Sequence, residues 1–191
     1  MYYQVVSFSH KNCDQAFREK LAFANEEETK QMLDQLVSFD YISEAFIIST
    51  CNRVEIIMAS SDNFSSYHTV LGLMSQKSGQ NFYDIKNVAK THDDEEAISH
   101  IFSVVSSLDS LVIGESQITG QVKEAFRLSL EHGTAGEKLN RVISYALKCA
   151  AEVRNATNIS QNPISIASVA VAQAHKLLGE HIQGMTGVVV G

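Results

Sequence analysis

Three early segments are short runs rich in β-branched, aromatic and other apolar residues, and a strand is predicted for each: Tyr2–Phe8, Ala45–Ser49 and Val54–Ala59. Between the first two, Asn25-Glu-Glu-Glu28 reads as a capping box, with acidic residues at the positive end of a helix. Met32, Leu33, Leu36 and Val37 give that helix its apolar face. Asp62 or Asn63 caps a further helix that runs through Gln76, carries Val70, Leu71 and Met74 on one face and stops at Gly79. The short apolar run Ile85–Ala89 reads as a fourth strand. The resulting order, β-α-β-β-α-β, is that of a ferredoxin-like split unit over residues 1–90.

From Asp93 to Asn158 the period changes to that of helices. Ala97, Ile98, Ile101, Phe102, Val104 and Val105 form one stripe, and Gly114 interrupts the pattern. Ser116 can cap the next helix, which ends at His132-Gly133. Thr134-Ala-Gly-Glu137 reads as a second capping box, ahead of a helix with Leu139, Val142, Ile143, Ala146, Leu147, Ala150 and Val153 at helical spacing. Ser160–Pro163 is a linker, and Ser165–Leu178 is a further Ala/Val-rich helix. Gly187-Val-Val-Val-Gly191 has the look of the first strand and glycine of a dinucleotide-binding unit, so the chain reads as cut off just inside a second domain. The expected class is therefore α+β. A domain at 1–157 divides into a ferredoxin-like part, 1–90, and a helical part, 91–157; residues 158–191 open a truncated Rossmann domain.

Composition narrows the functional classes. The 191 residues are 45% hydrophobic and 19% charged, as in globular proteins. The longest apolar runs are far too short to span a bilayer. The N-terminus MYYQVVSFSHKNC has neither the basic start nor the apolar stretch of a signal peptide. Three cysteines without metal spacing argue for a reducing cytoplasm, no metal site and no disulfide framework. Fifteen Lys and Arg against twenty-two Asp and Glu leave a net charge of −7, which argues against broad nucleic-acid binding. Residues 121–155 run the other way, with six Lys/Arg against four Asp/Glu.

The chemistry concentrates in two segments. In Ser49-Thr-Cys-Asn-Arg-Val-Glu55, Cys51 sits in a loop between two strands, reachable from solvent yet held by a sheet. Thr50 and Asn52 offer hydrogen bonds. Arg53 offers a cation and a planar fork for a carboxylate. The second segment runs from Ser106 to Lys123 and gathers Asp109, Ser110, Glu115, Gln117 and Gln121 beside Leu108, Leu111, Val112 and Ile113. On residue types alone, a turn with an incidental cysteine and a capped helix junction account for these segments equally well. His100 falls among apolar residues, where a histidine is more often a hydrogen-bonded core group. Cys13 and Cys149 read as packing residues.

Taken together, Ser-Thr-Cys-Asn-Arg-x-Glu at 49–55, Leu-Asp-Ser-Leu-Val-x-Gly-Glu at 108–115, Gln-Ile-x-Gly-Gln-Val-Lys at 117–123 and Ile-Ser-Ile-Ala-Ser-x-Ala at 164–170 resemble the glutamyl-tRNA reductase family. His10-Lys11 and Arg18-Glu-Lys-Leu-Ala-Phe23 add to the likeness, which runs the length of the chain. Asn12-Cys13-Asp14, Ser107 and Ser116 depart from the family's usual Thr-Ala-Pro, Gly and Pro at these places. The resemblance implies NADPH-dependent reduction of glutamyl-tRNA(Glu) to glutamate-1-semialdehyde, through a cysteinyl thioester, at the start of five-carbon tetrapyrrole synthesis. It implies Cys51 as nucleophile, with His100 nearby as acid/base or orienter. Thr50, Asn52, Arg53, Ser110, Glu115, Gln117 and Gln121 become substrate contacts, and Gly191 the start of the glycine loop for NADPH. A homodimer through a C-terminal domain, and a partnership with glutamate-1-semialdehyde aminomutase, belong to the longer protein. The fragment itself is expected to bind no NADPH and to manage acyl transfer or hydrolysis at most. The alternatives are a non-catalytic tRNA-binding regulatory module and an acyl-thioester hydrolase.

Overall fold

The computed structural model describes residues 2–111, 113–115, 117–157, 159, 166–179, 186 and 188. Strand β1 (Tyr2–Ser9) leads into helices α1 (Gln15–Leu21) and α2 (Glu26–Val37). Strands β2 (Ile42–Ser49) and β3 (Arg53–Ser60) form a hairpin. Helices α3 (Asn63–Ser78) and α4 (Phe82–Val88) return the chain to β4 (Lys90–Asp93). Helices α5 (Asp94–Val105), α6 (Gln117–His132), α7 (Glu137–Ala156) and α8 (Ile166–Leu178) follow. The sheet has the order β2-β3-β1-β4, and every neighbouring pair is antiparallel.

Two-residue alternation decides which side chain meets which helix layer. Val6, Phe8, Ala45, Ile47, Val54, Ile56 and Met58 pack into one core with Leu21, Leu33, Leu36, Leu71 and Met74 of α1–α3. Val5, Phe46, Ile48, Ile57 and Ala59 point to the other face and share a second core with Ile101, Val122, Phe126, Leu139 and Ile143 of α5–α7. Helices α5–α7 thus cover the sheet's second face. At one end of that face the apolar series gives way to Ser7, Arg53 and Glu55.

Two expected elements are corrected. Ile85–Ala89 is not a strand: Asn81 accepts a hydrogen bond from the Tyr83 N–H and starts α4, and Ile85 is that helix's buried residue. The fourth strand comes just after it, so the sheet runs to residue 93. A short apolar run fits one helical turn as well as a strand, and here the cap decides. Nor is Thr134 a capping-box residue, since the N-cap of α7 is Gly136, without a side-chain bond of its own. The Glu44 carboxylate of β2 does the capping, accepting from Gly136 N, Lys138 N and Leu139 N at 3.0, 3.1 and 2.8 Å. The expected cap at Ser116, the linker Ser160–Pro163 and the strand and glycine at 187–191 lie outside the described residues, apart from Val188.

Candidate functional site

The β2–β3 turn is pinned at its base. Thr50 N donates to Arg53 O at 2.8 Å, and Arg53 N donates to Thr50 Oγ1 at 3.2 Å, leaving Cys51 and Asn52 at the tip. Cys51 is exposed. Its carbonyl accepts from Arg18 Nε at 3.0 Å, and the Asn52 carbonyl accepts from His10 N at 3.0 Å. The thiol therefore projects from a turn whose backbone is held on both sides, which lowers the entropy cost of presenting it to a reactant.

The segment between α5 and α6 closes over this turn. A cavity of about 80 Å³ is lined by Thr50, Cys51, Asn52, Arg53, Ser110, Leu111, Glu115, Gln117, Ile118 and Gln121. Two backbone features shape the segment. Ser107 has φ +62°, the left-handed region that favours glycine, and its Oγ donates to Glu115 O at 2.6 Å. Gly114 has φ +89°, and a Cβ there would lie 2.2 Å from the Ile159 carbonyl oxygen, so only glycine fits.

Below the turn lies a buried charged network on the α5 side of the sheet. Glu55 Oε1 accepts from Ser7 Oγ at 2.8 Å, from Arg53 Nη1 at 2.9 Å and from His100 Nε2 at 2.9 Å. Ser7 and Glu55 are register partners in the β1–β3 ladder. Arg53 Nη2 bonds both the main-chain oxygen and Oδ2 of Asp109, and Lys11 Nζ bonds Asp109 Oδ1. The His92 and His100 rings stack at 4.2 Å. Burial alone would raise the Glu55 carboxyl; the His100 hydrogen bond and charge, with Arg53 and Ser7, outweigh it and hold the group below the usual carboxylate range. Asp109 is likewise held low, burial being outweighed by Lys11 and Arg53. Burial and the His100 charge lower His92, and burial and Arg53 lower His10. The Nδ1 atoms of both histidines are buried without a hydrogen-bond partner among the described residues.

The structure thus brings Cys51 together with all seven expected substrate contacts at one cavity, while His100 is set apart. It lines a neighbouring cavity of about 220 Å³ with His92, Lys11, Ser7 and Asp109. Gly191 lies outside the described residues. Cys13 is buried beside α1, where burial pushes its thiol up against the opposing charge of Arg18, and Cys149 is half-buried. Lys138 and Arg154 of α7 bond Ser43 Oγ and Thr119 Oγ1. Residue types alone point to no role for Glu55, His92 or Arg18. Glu55 is within reach of the sequence, because a strand through Arg53 places residue 55 on the same face. His92 and Arg18 carry no such signal; only the sheet order and the α1 packing bring them in.

Comparison with known proteins follows the same site. Residues 6–157 match the family described as "Glutamyl-tRNAGlu reductase, N-terminal domain". Over 191 residues the chain is 78% identical to a protein named glutamyl-tRNA reductase from Sulfurovum sp. and 48% identical to one from Nitratiruptor sp., all of this chain and 44% of each relative being covered. The chain thus spans less than half the length of these relatives. Among solved structures, the glutamyl-tRNA reductase from Methanopyrus kandleri superposes with a TM-score of 0.71 at 29% identity, covering 93% of this chain and 40% of that one.

Proposed function

The chain belongs to the glutamyl-tRNA reductase family, and on that premise we propose that Cys51 takes the glutamyl group from glutamyl-tRNA(Glu) as a thioester. One observation carries the reading: the exposed thiol and the polar groups of two separate chain segments border one small cavity. About 80 Å³ suits an amino-acid acyl group, well below the few hundred Å³ typical of drug-sized ligand sites.

The step balances within the chain and its substrate. Cys51 Sγ attacks the ester carbonyl carbon, the carbon–oxygen bond to the ribose breaks, and the thiol proton ends on the released ribose hydroxyl. A thioester carbonyl is less resonance-stabilised than an ester, so the exchange prepares the acyl group for reduction. Arg53 takes the side-chain carboxylate of the glutamyl group and Glu115 its ammonium; Thr50, Asn52, Ser110, Gln117 and Gln121 complete the contacts. His100 acts as an orienter. Its Nε2–H holds Glu55, and Glu55 holds Arg53.

NADPH, the family's reductant, supplies a hydride when bound. The described sheet is antiparallel throughout and offers no strand–glycine turn–helix unit for a pyrophosphate, so the sheet's residues do not fit that cofactor. We read residues 1–157 as the glutamyl-tRNA-binding domain and 158–191 as the beginning of the NADPH domain. The order β2-β3-β1-β4, with its paired helical crossovers, supports a ferredoxin-like split βαβ reading of the sheet.

Incubation with glutamyl-tRNA is expected to give a protein adduct that hydroxylamine removes. It should be absent in Cys51→Ser and present in Cys149→Ser. An adduct of the same yield in Cys51→Ser overturns the assignment.

A further inference from the structure

Cys51 borders two cavities. The second, of about 330 Å³, shares only Thr50 and Cys51 with the first and is otherwise lined by Gln15, Arg18 and Glu19 of α1, by Ala22 and Phe23, and by Ser49. Its volume falls in the range of small-molecule sites. Arg18 is only 6% exposed. Its Nε and Nη1 donate to the carbonyls of Cys51 and Cys13 at 3.0 and 2.7 Å, and no carboxylate among the described residues pairs with it. Arg53, more deeply buried still, has both Glu55 and Asp109. A buried cation served by carbonyl dipoles alone is electrostatically incomplete, and an anion at the cavity would complete it. Phe23 offers a ring held in place from two sides: its N–H donates to Ser49 Oγ at 3.1 Å, and Lys77 Nζ, outside the cavity lining, sits 4.5 Å from the ring centroid.

Ester chemistry supplies the match. The carbonyl carbon that Cys51 attacks joins an acyl half to an alcohol half, so a thiol between two cavities can hold one half in each. The small polar cavity takes the acyl half. The alcohol of an aminoacyl ester is the ribose of a terminal nucleotide, which brings a phosphodiester anion, hydroxyls and a flat base. We propose that the cavity between α1 and Cys51 is the subsite for the terminal nucleotide of the RNA ester. Arg18 faces the phosphate, Glu19 and Gln15 face the ribose hydroxyls, and the base lies against Phe23. This assignment rests on the thioester reading for its geometry, but the site binds RNA ends whether or not acyl transfer follows.

The test uses the trinucleotide CCA, uncharged, as a probe on the 191-residue chain. Iodoacetamide alkylation is followed on the Cys51 peptide by mass spectrometry. CCA is expected to slow alkylation in the wild type. Phe23→Leu keeps apolar volume but removes the aromatic face, and should raise the half-protecting concentration roughly 5- to 150-fold. Phe23→Tyr keeps the ring and should stay within about threefold of wild type. No protection of the wild type, or equal protection in wild type and Phe23→Leu, overturns the subsite. Protection that follows Phe23 while glutamyl-tRNA leaves no hydroxylamine-labile adduct supports the subsite and removes the thioester reading. An adduct that forms while protection ignores Phe23 does the reverse.

Discussion

Arg53 and Asp109 are joined at two points: one terminal nitrogen of the guanidinium, Nη2, meets both the main-chain oxygen and, at 3.3 Å, the Oδ2 of Asp109. The other, Nη1, is on Glu55. The guanidinium that lines the Cys51 cavity therefore has both ends occupied by the protein's own oxygens. The two carboxylates are not equivalent, since the Glu55 side chain is 2% exposed and that of Asp109 is 14% exposed and also paired with Lys11. On the reading proposed above, a substrate carboxylate that reaches Arg53 would compete with Asp109, which has Lys11 as a second partner, rather than with the more deeply buried Glu55.

The buried part of this network sets a stability prediction. Removing one member of a buried ion pair leaves the other charged and unpaired, typically at a cost of about 3–5 kcal/mol. Arg53→Ala leaves Glu55 with Ser7 and His100 alone, and is expected to lower the unfolding free energy by about 3 kcal/mol, the lower end of that range, in urea titrations. Arg53→Ala with Glu55→Leu removes both charges and is expected to recover much of the loss. Equal destabilisation by single and double variants would show that packing, rather than the stranded charge, is responsible.

The same groups set a pH dependence. His10 and His92 have folded pKa values below 6.5, so between the folded value and 6.5 the unfolded chain binds more protons. Their contribution is complete above pH 6.5 and is lost as pH falls below it. Glu55 and Asp109 also have depressed folded values, so theirs is present above the ordinary carboxylate range and lost as pH falls through the lower, folded values. Stability is expected to decline in two stages on acidification from pH 7. In urea midpoints against pH, His10→Asn with His92→Asn should flatten the first stage and leave the second.

Legibility in the sequence followed the range of the interaction. Local signals were readable. Asn25 and Asp62 cap their helices through Glu28 N and through Phe64 N and Ser65 N, as the residue types foretold. A solvent-reachable Cys51 between two strands was expected from the residue types, whereas the strand's start at Arg53, which puts Arg53 and Glu55 on one face, lies one residue ahead of the expected Val54. Contacts between distant segments were not readable. Arg18 reaches the Cys51 carbonyl across 33 positions, and Asp109 reaches Lys11 across 98; no period in the chain encodes either. The difference at Ile85–Ala89 has another cause, since one helical turn and a short strand present the same apolar run.

Glu44 gives a third prediction from such a distant contact. Its carboxylate takes three main-chain N–H groups at the start of α7, from a position 92 to 95 residues earlier. Hydrogen bonds to a charged group contribute about 1.5–3 kcal/mol each at most, and losing an N-cap costs about 0.5–2. Glu44→Ala is expected to cost about 2 kcal/mol, in the upper part of the N-cap range. Thr134→Ala, which removes a hydroxyl whose one bond among the described residues is to Ser129 O at 3.3 Å, should cost less than about 1 kcal/mol. Denaturant midpoints compare the two. A larger loss at Thr134 would restore the capping box that the sequence suggests.

The exchange at Arg53 yields the sharpest functional prediction. A bidentate Arg–carboxylate pair fixes direction as well as charge, and lysine lacks the planar fork. Losing one hydrogen bond to a charged group costs about 1.5–3 kcal/mol, so Arg53→Lys is expected to slow single-turnover acylation by glutamyl-tRNA roughly 10- to 150-fold. It should also erode the preference for glutamyl- over glutaminyl-tRNA, because the neutral amide never had the charge to lose. Asp109→Asn acts in the opposite sense. It keeps the shape of the pocket but weakens the group that competes for Nη2, so half-maximal acylation by glutamyl-tRNA should need less substrate. If Arg53 serves only to hold Glu55 in place, the two variants behave otherwise: Arg53→Lys slows both charged tRNAs alike, and Asp109→Asn leaves the glutamyl/glutaminyl ratio where it was. Measuring that ratio in the wild type and both variants separates a guanidinium that changes partners from one that never lets go.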